Sequence, residues 1–155
     1  MIVAVIGGAT CTAAEARSAE VIGRLLAESG AVLLCGGRGG VMAAACRGAK
    51  SAGGLTIGIL PGEDASEANQ WVDVPIATGL GEARNAIVVR SAQTVIAVGG
   101  SYGTLSEIAF ALKWGKRVVG LGTWDLALRG EPQSDIMRAT TAEEAAALAL
   151  PASGP

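Results

Sequence analysis

The chain has 155 residues, with 12 basic and 14 acidic side chains, 23 glycines and no histidine. Its length is that of one compact domain. A formal net charge of −2 offers no basic surface of the kind that polyanions need, so we expect no nucleic-acid partner. The lack of histidine excludes Ser-His-Asp and Cys-His catalysis and His-ligated zinc, and we expect no metal site.

The cysteines and the hydropathy pattern indicate the cellular compartment in which the protein is expected. Cys11, Cys35 and Cys46 are odd in number and have no C-x-x-C spacing, which is typical of a reducing environment without a disulfide framework. The N-terminus has no basic region before its short apolar run, and no stretch approaches the roughly 20 apolar residues of a membrane span. We therefore expect a cytoplasmic protein with no membrane partner.

Short apolar runs alternate along the chain with segments of helical spacing. The runs are continuously apolar, which is typical of parallel strands covered on both faces. Strands are predicted at 2–6, 31–35, 55–60, 72–76, 94–98 and 117–121, and helices at 14–29, 40–52, 82–92, 104–114 and 141–150. This order predicts an α/β fold: a Rossmann-like, doubly wound, mostly parallel sheet in three layers. A single domain over 1–150 and a flexible tail over 151–155 are expected.

Glycine-rich turns follow three of the predicted strands. They are Gly7-Gly8, Gly36-Gly37-Arg38-Gly39-Gly40 and Gly99-Gly100-Ser101-Tyr102-Gly103-Thr104. Parallel strands end at the same edge of a sheet, so the turns are expected to face one crevice, where helix N-termini and backbone amides can hold a phosphate. Short β–α turns favour glycine for structural reasons alone. Two long turns that each open a helix favour a phosphate site.

The same turns resemble a known family. The run from Gly36 to Met42 resembles the G-G-x-x-G-x-M turn of the LOG-like proteins, formerly called lysine decarboxylase-like. The run from Gly100 to Glu107 resembles the second half of their P-G-G-x-G-T-x-x-E motif, and Arg84-Asn85 stands at about the place of their Arg-Lys pair. The similarity covers most of residues 1–124.

The resemblance implies an activity and a ligand. LOG-type enzymes hydrolyse the N-glycosidic bond of nucleoside 5′-monophosphates, which implies AMP or a related nucleotide as ligand and no required cofactor. The implied catalytic residues are Arg84 and Glu107. A carboxylate near the anomeric carbon can stabilise an oxocarbenium-like state, and a guanidinium suits phosphate or sugar hydroxyls. The implied ligand-binding residues are Gly7, Gly8, Gly36, Gly37, Arg38, Gly39, Gly40, Met42, Gly100, Ser101, Gly103 and Thr104.

Departures from the motif favour a second function. Gly99, Ser101 and Asn85 stand where the hydrolases have Pro, Gly and Lys, which is more similar to the branch that includes a molybdenum cofactor carrier protein. That carrier binds a pterin that bears a phosphate. Hydrolysis is the leading hypothesis, and non-catalytic binding of a phosphorylated nucleotide or of the molybdenum cofactor is the alternative. The resemblance also implies a homodimer, with residues 86–89 and 108–112 as the apolar seam.

Each candidate has a structural alternative. Thr104-x-x-Glu107 is also the spacing of a helix capping box, as are Thr12-x-x-Glu15 and Thr141-x-x-Glu144, where no chemistry is proposed. Arg84 can be a solvated helix residue, and Glu82 is a weak candidate for a second acid. Trp124 is expected either to cover a base or to pack as a lid.

Overall fold

A seven-stranded parallel sheet forms the centre of the molecule in the computed structural model, which describes residues 1–151. The strands lie in the order β4-β3-β2-β1-β5-β6-β9. They are β1 (Ile2–Gly7), β2 (Val32–Cys35), β3 (Thr56–Leu60), β4 (Val74–Ala77), β5 (Thr94–Val98), β6 (Arg117–Leu121) and β9 (Ile136–Ala139). The helices are α1 (Ala13–Glu28), α2 (Val41–Ser51), α3 (Arg84–Ser91), α4 (Tyr102–Lys113) and α5 (Ala142–Ala149). Residues 152–155 of the predicted tail lie outside the described residues.

Two hydrophobic cores, one on each face of the sheet, hold the layers together. Helices α1, α2 and α5 cover one face, and α3 and α4 cover the other. All five residues of β5 are buried, as are Val3, Ala4 and Val5 of β1. Strands this apolar need cover on both sides, and the doubly wound arrangement supplies it. The predicted three-layer, Rossmann-like fold is confirmed.

The winding of the sheet changes direction at β1. From β1 the chain runs outward to β2, β3 and β4, then returns to place β5 on the other side of β1. In this register Gly7 pairs with Val98, and Ala4 pairs with Leu34. Open α/β sheets bind ligands at such a switch point, beyond the carboxyl ends of the strands. The glycine turns after β1, β2 and β5 all follow carboxyl ends at this edge.

One strand and one hairpin were absent from the sequence prediction. Strand β9 is a half-exposed edge strand, with Met137 and Arg138 exposed between buried neighbours, so it lacks the continuous apolar pattern of the central strands. Strands β7 (Leu126–Leu128) and β8 (Glu131–Gln133) pair in an antiparallel hairpin. Arg129 (φ 54°) and Gly130 (φ 86°) form its turn in left-handed conformations.

Two further features concern the expected environment. Among residues 1–151, none of the helices combines the length and apolar character needed to cross a bilayer. The three cysteines are free, and the Sγ atoms of Cys35 and Cys46 lie 3.5 Å apart in the core. They pack as small apolar side chains.

Candidate functional site

A cavity of about 230 Å³ opens at the carboxyl ends of β1 and β5. It contains predicted site residues from all three glycine turns, together with both predicted catalytic residues. These are Gly7, Gly8, Gly36, Met42, Ser101, Gly103, Thr104, Arg84 and Glu107. The cavity is also lined by Ile6, Ala9, Glu82 and Asn85. The turns thus meet in one crevice, as the sequence predicts.

Four of the predicted ligand-binding residues, Gly37 to Gly40, do not line this cavity. Gly37 (φ 76°) lies against Leu60, and Arg38 forms a 3.5 Å ion pair with Glu67. Gly40 packs on the backbone of the first turn, and the amide of Val41 donates a hydrogen bond to the Gly8 carbonyl at 3.0 Å. The first amide of α2 therefore joins two turns.

Arg84 enters the cavity through space that Gly36 leaves open. A Cβ at Gly36 would overlap Nη1 of Arg84 and lie 2.7 Å from Sδ of Met42. Burial lowers the pKa of Arg84, and the nearby Glu107 opposes that shift. Its Nε is buried and has no hydrogen-bond partner among residues 1–151. The guanidinium lines the cavity, so its positive charge would stabilise an anion bound there.

Glu107 is buried in the same cavity, with 6% of its surface exposed. Burial raises its pKa to about 8, against the opposing charge of Arg84. The carboxyl is therefore mostly protonated at neutral pH. A neutral carboxyl can donate a hydrogen bond and does not repel an anionic ligand.

The capping-box interpretation of Thr104 and Glu107 is wrong. Helix α4 begins at Tyr102 with Ser101 as its N-cap, so Thr104 lies inside the first turn. By contrast, Thr12 and Glu15 form a complete capping box at α1. The spacing is the same at both places, but α4 begins three residues earlier than a cap at Thr104 would require, and Glu107 lines the cavity.

The N-terminus of α4 faces the cavity without a side-chain cap. Ser101 makes no capping hydrogen bond, and Ser101, Gly103 and Thr104 all line the cavity. The first amides of a helix carry partial positive charge and bind anions. This N-terminus and the Arg84 guanidinium thus offer two sources of positive potential to one ligand.

The turn before α4 has a conformation that the hydrolase motif does not allow. Gly99 has φ +53° and Gly100 has φ +96°. Proline is restricted to φ near −65°, so the proline of the LOG-type motif does not fit at Gly99. The departure at this position therefore changes the backbone of the turn, in addition to its side chain.

A second cavity, of about 340 Å³, adjoins the first and shares Gly8, Ala9 and Ser101 with it. Its other lining residues are Thr10, Glu15 and Gly100. Gly100 is a predicted ligand-binding residue, whereas the sequence predicts only a capping role for Glu15. The capping-box spacing does not predict that Glu15 lines a cavity, because only the tertiary fold brings the start of α1 beside the turn after β5.

Aromatic side chains support the site from outside. Trp124 donates a hydrogen bond from Nε1 to the Ser101 carbonyl at 3.0 Å, and its ring centre lies 5.5 Å from that of Tyr102. Trp124 therefore braces the turn that opens α4, in agreement with the packing alternative. Asn85 is 9% exposed and donates to Oγ of Ser106 at 3.2 Å, which links α3 to α4 across the cavity wall.

The protein has a Rossmann-like fold with a cavity, the candidate ligand-binding site, at the switch point of the sheet. The chain belongs to the SLOG cluster4 family, which it matches over residues 1–150. It is 51% identical over 121 residues to an uncharacterized protein of Archaeoglobus fulgidus, with 78% of this chain and 80% of that protein covered. The resemblance inferred from the glycine turns is thereby confirmed.

Two solved structures are similar to this chain over nearly their whole length. The molybdenum cofactor binding protein of Rippkaea orientalis is 43% identical with a TM-score of 0.85, covering 92% of this chain and 91% of that one. The molybdenum cofactor carrier protein of Chlamydomonas reinhardtii is 38% identical with a TM-score of 0.81, covering 94% of both chains. These similarities support ligand binding and do not support hydrolysis.

Proposed function

We propose that the protein binds and carries a phosphorylated pterin of the molybdenum cofactor type and does not hydrolyse it. The observation that carries this proposal is the position of the Arg84 guanidinium, whose Nε has no hydrogen-bond partner among residues 1–151, in one cavity with the N-terminus of α4. The Arg84 guanidinium and the first amides of α4 lie at one cavity, and both would stabilise an oxyanion bound there. The similarity to cofactor-binding proteins supplies the class of ligand.

The protonation of Glu107 favours carriage over hydrolysis. The predicted catalytic role needs an ionised carboxylate near the anomeric carbon, whereas a pKa of about 8 keeps Glu107 mostly neutral at pH 7. A neutral Glu107 instead helps the cavity to accept a phosphate. The site thus combines positive potential with a carboxyl that adds no negative charge.

Cofactor carriage is tested by isolating the protein from a bacterial host that makes molybdenum cofactor. The purified protein is denatured to release any bound pterin. The released pterin is oxidised to a fluorescent product, which is measured by chromatography. The wild type is expected to yield pterin in a near-constant ratio to protein, and Arg84→Met much less. Equal pterin from wild type and Arg84→Met, or none from either, contradicts the proposal.

Hydrolysis of a nucleoside 5′-monophosphate is the second candidate. One observation favours it: Glu82 lines the same cavity as Glu107, so two carboxyl groups are available for acid and base roles. The test is incubation with AMP and detection of adenine and ribose 5-phosphate. Release of adenine that Glu107→Gln abolishes would establish hydrolysis, and binding of AMP without release would favour the carrier.

A further inference from the structure

We propose that Glu15 recognises the heterocycle of the ligand, by accepting hydrogen bonds from the 2-amino-4-oxopyrimidine edge that pterins and guanine share. The inference rests on the proposed function, because it assumes that the phosphate of the same ligand lies in the Arg84 cavity. It adds the chemical class of ring that the adjoining cavity selects.

The two adjoining cavities differ in that only the first contains a cationic side chain among its described lining residues. The first contains the Arg84 guanidinium and the N-terminus of α4, which suit an anion. The second is lined by backbone, by the hydroxyl-bearing Thr10 and Ser101, and by Glu15, the one charged side chain among its described lining residues. A carboxylate accepts hydrogen bonds and donates none, so this cavity suits a group that presents donors. One ligand with a phosphate at one end and donors at the other fits both.

The Glu15 carboxylate is held in place before any ligand arrives. Its Oε2 accepts a hydrogen bond from the Thr12 amide at 2.8 Å, and Oγ1 of Thr12 accepts one from the Glu15 amide at 3.1 Å. This capping box fixes the side chain at the start of α1. Each carboxylate oxygen offers two acceptor positions, so the box does not use up the acceptor capacity of Glu15.

Gly99 makes room for this carboxylate. A Cβ at Gly99 would overlap Oε1 of Glu15 and lie 2.7 Å from its Cδ. The glycine that replaces the proline of the hydrolase motif is thus in direct contact with Glu15. The departure at Gly99 and the position of Glu15 therefore belong to one arrangement, in which Glu15 lines the second cavity.

The chemistry of the ring edge matches a carboxylate. Pterins and guanine carry a ring N–H beside an exocyclic amino group, and the two donors run parallel at the spacing of carboxylate oxygens. Hydrogen bonds to a charged acceptor contribute roughly 1.5–3 kcal/mol each, which corresponds to about 10- to 100-fold in affinity. Hypoxanthine lacks the amino group and offers one donor, so the site is expected to prefer guanine to hypoxanthine.

The test compares GMP and IMP, which differ only in the amino group, by titration calorimetry on the full chain. The variants are Glu15→Gln and, as a matched control, Glu144→Gln, which alters the corresponding position of the Thr141 cap and is not among the residues that line the two cavities. Glutamine retains an oxygen for the Thr12 amide but replaces the second acceptor by a donor. The wild type and Glu144→Gln are expected to bind GMP at least about tenfold more tightly than IMP, and Glu15→Gln to bind both within about twofold.

The possible results separate this inference from the proposed function. Equal binding of GMP and IMP by the wild type, or an unchanged preference in Glu15→Gln, overturns the role of Glu15 and leaves the carrier proposal standing. Equal weakening of both nucleotides in Glu15→Gln shows a structural role and also overturns the inference. Failure of the wild type to bind GMP, together with the absence of co-purified pterin, overturns both proposals.

Discussion

The guanidinium of Arg84 occupies the space that a side chain at Gly36 would fill. The glycine after β2 therefore serves the first residue of α3, which lies 48 positions later in the chain. Gly36 lines the cavity, and the next four residues of its turn do not. The second glycine turn thus makes room for a cationic side chain in the cavity.

Gly36→Ala is predicted to displace Arg84 and to weaken ligand binding with little change in stability. The overlapping atoms, Nη1 of Arg84 and Sδ of Met42, are the ends of flexible side chains that can move aside. Affinity for GMP should fall by roughly tenfold or more, as for the loss of one charge-assisted hydrogen bond. Calorimetry measures this, and thermal unfolding checks the fold.

A double-mutant cycle gives the control for Gly36→Ala. If the substitution acts through Arg84, it should add nothing to Arg84→Ala. Additive losses in the double variant would show that Gly36 acts by another route.

Glu107→Gln is predicted to change how stability depends on pH. The pKa of Glu107 is about 8 in the folded protein and about 4.5 when unperturbed, so the unfolded chain binds fewer protons between these values. Stability from this group is therefore fully present below about pH 4.5 and is lost as pH rises toward 8. The measurement is urea unfolding from pH 5 to 9. The free energy of unfolding of the wild type, relative to that of the variant, should fall by several kcal/mol up to pH 8, because each pKa unit corresponds to about 1.4 kcal/mol. A difference that does not vary with pH contradicts the raised pKa.

Gly103→Ala is predicted to weaken the binding of GMP without lowering the stability of the fold. Gly103 lies in α4, and a Cβ there would meet no atom within 4 Å. The substitution should leave stability unchanged or raise it by up to about 1 kcal/mol, because alanine favours helix over glycine. The added methyl group stands where a phosphate would approach the amides of α4, so affinity for GMP should fall. A stable variant that binds GMP normally would place the phosphate elsewhere.

The homodimer implied by the resemblance remains a prediction. Ile87 on α3 and Phe110 on α4 are partly buried at the outer side of the second core, where a partner helix pair would pack. Light scattering at micromolar concentration is expected to give twice the chain mass. A monomeric mass contradicts the seam.

Local pattern was sufficient to predict the centre of this fold and the edge of the sheet that carries the site. The continuous apolar runs of β1 and β5 and the glycines after them report burial and backbone conformation directly. Strand β9 was missed because an edge strand half exposed to solvent carries no such run.

The detailed roles in the site depend on tertiary contacts that spacing does not encode. Three Thr-x-x-Glu sequences look alike, yet Glu15 caps α1 beside the second cavity, Glu144 caps α5, and Glu107 is buried in the first cavity. Arg38 was a reasonable phosphate ligand from its glycine-rich neighbourhood. It instead forms an ion pair with Glu67, 29 positions away, and does not line the cavity.

The most direct test of phosphate capture by Arg84 and α4 is the affinity of GMP relative to guanosine, measured by calorimetry on wild type and Arg84→Met. The wild type is predicted to bind GMP roughly 100-fold more tightly than guanosine, and Arg84→Met to lose at least tenfold of that preference, because a buried charged donor is removed. Equal affinity of the wild type for GMP and guanosine, or an undiminished preference for GMP in Arg84→Met, would contradict phosphate binding by Arg84 and α4.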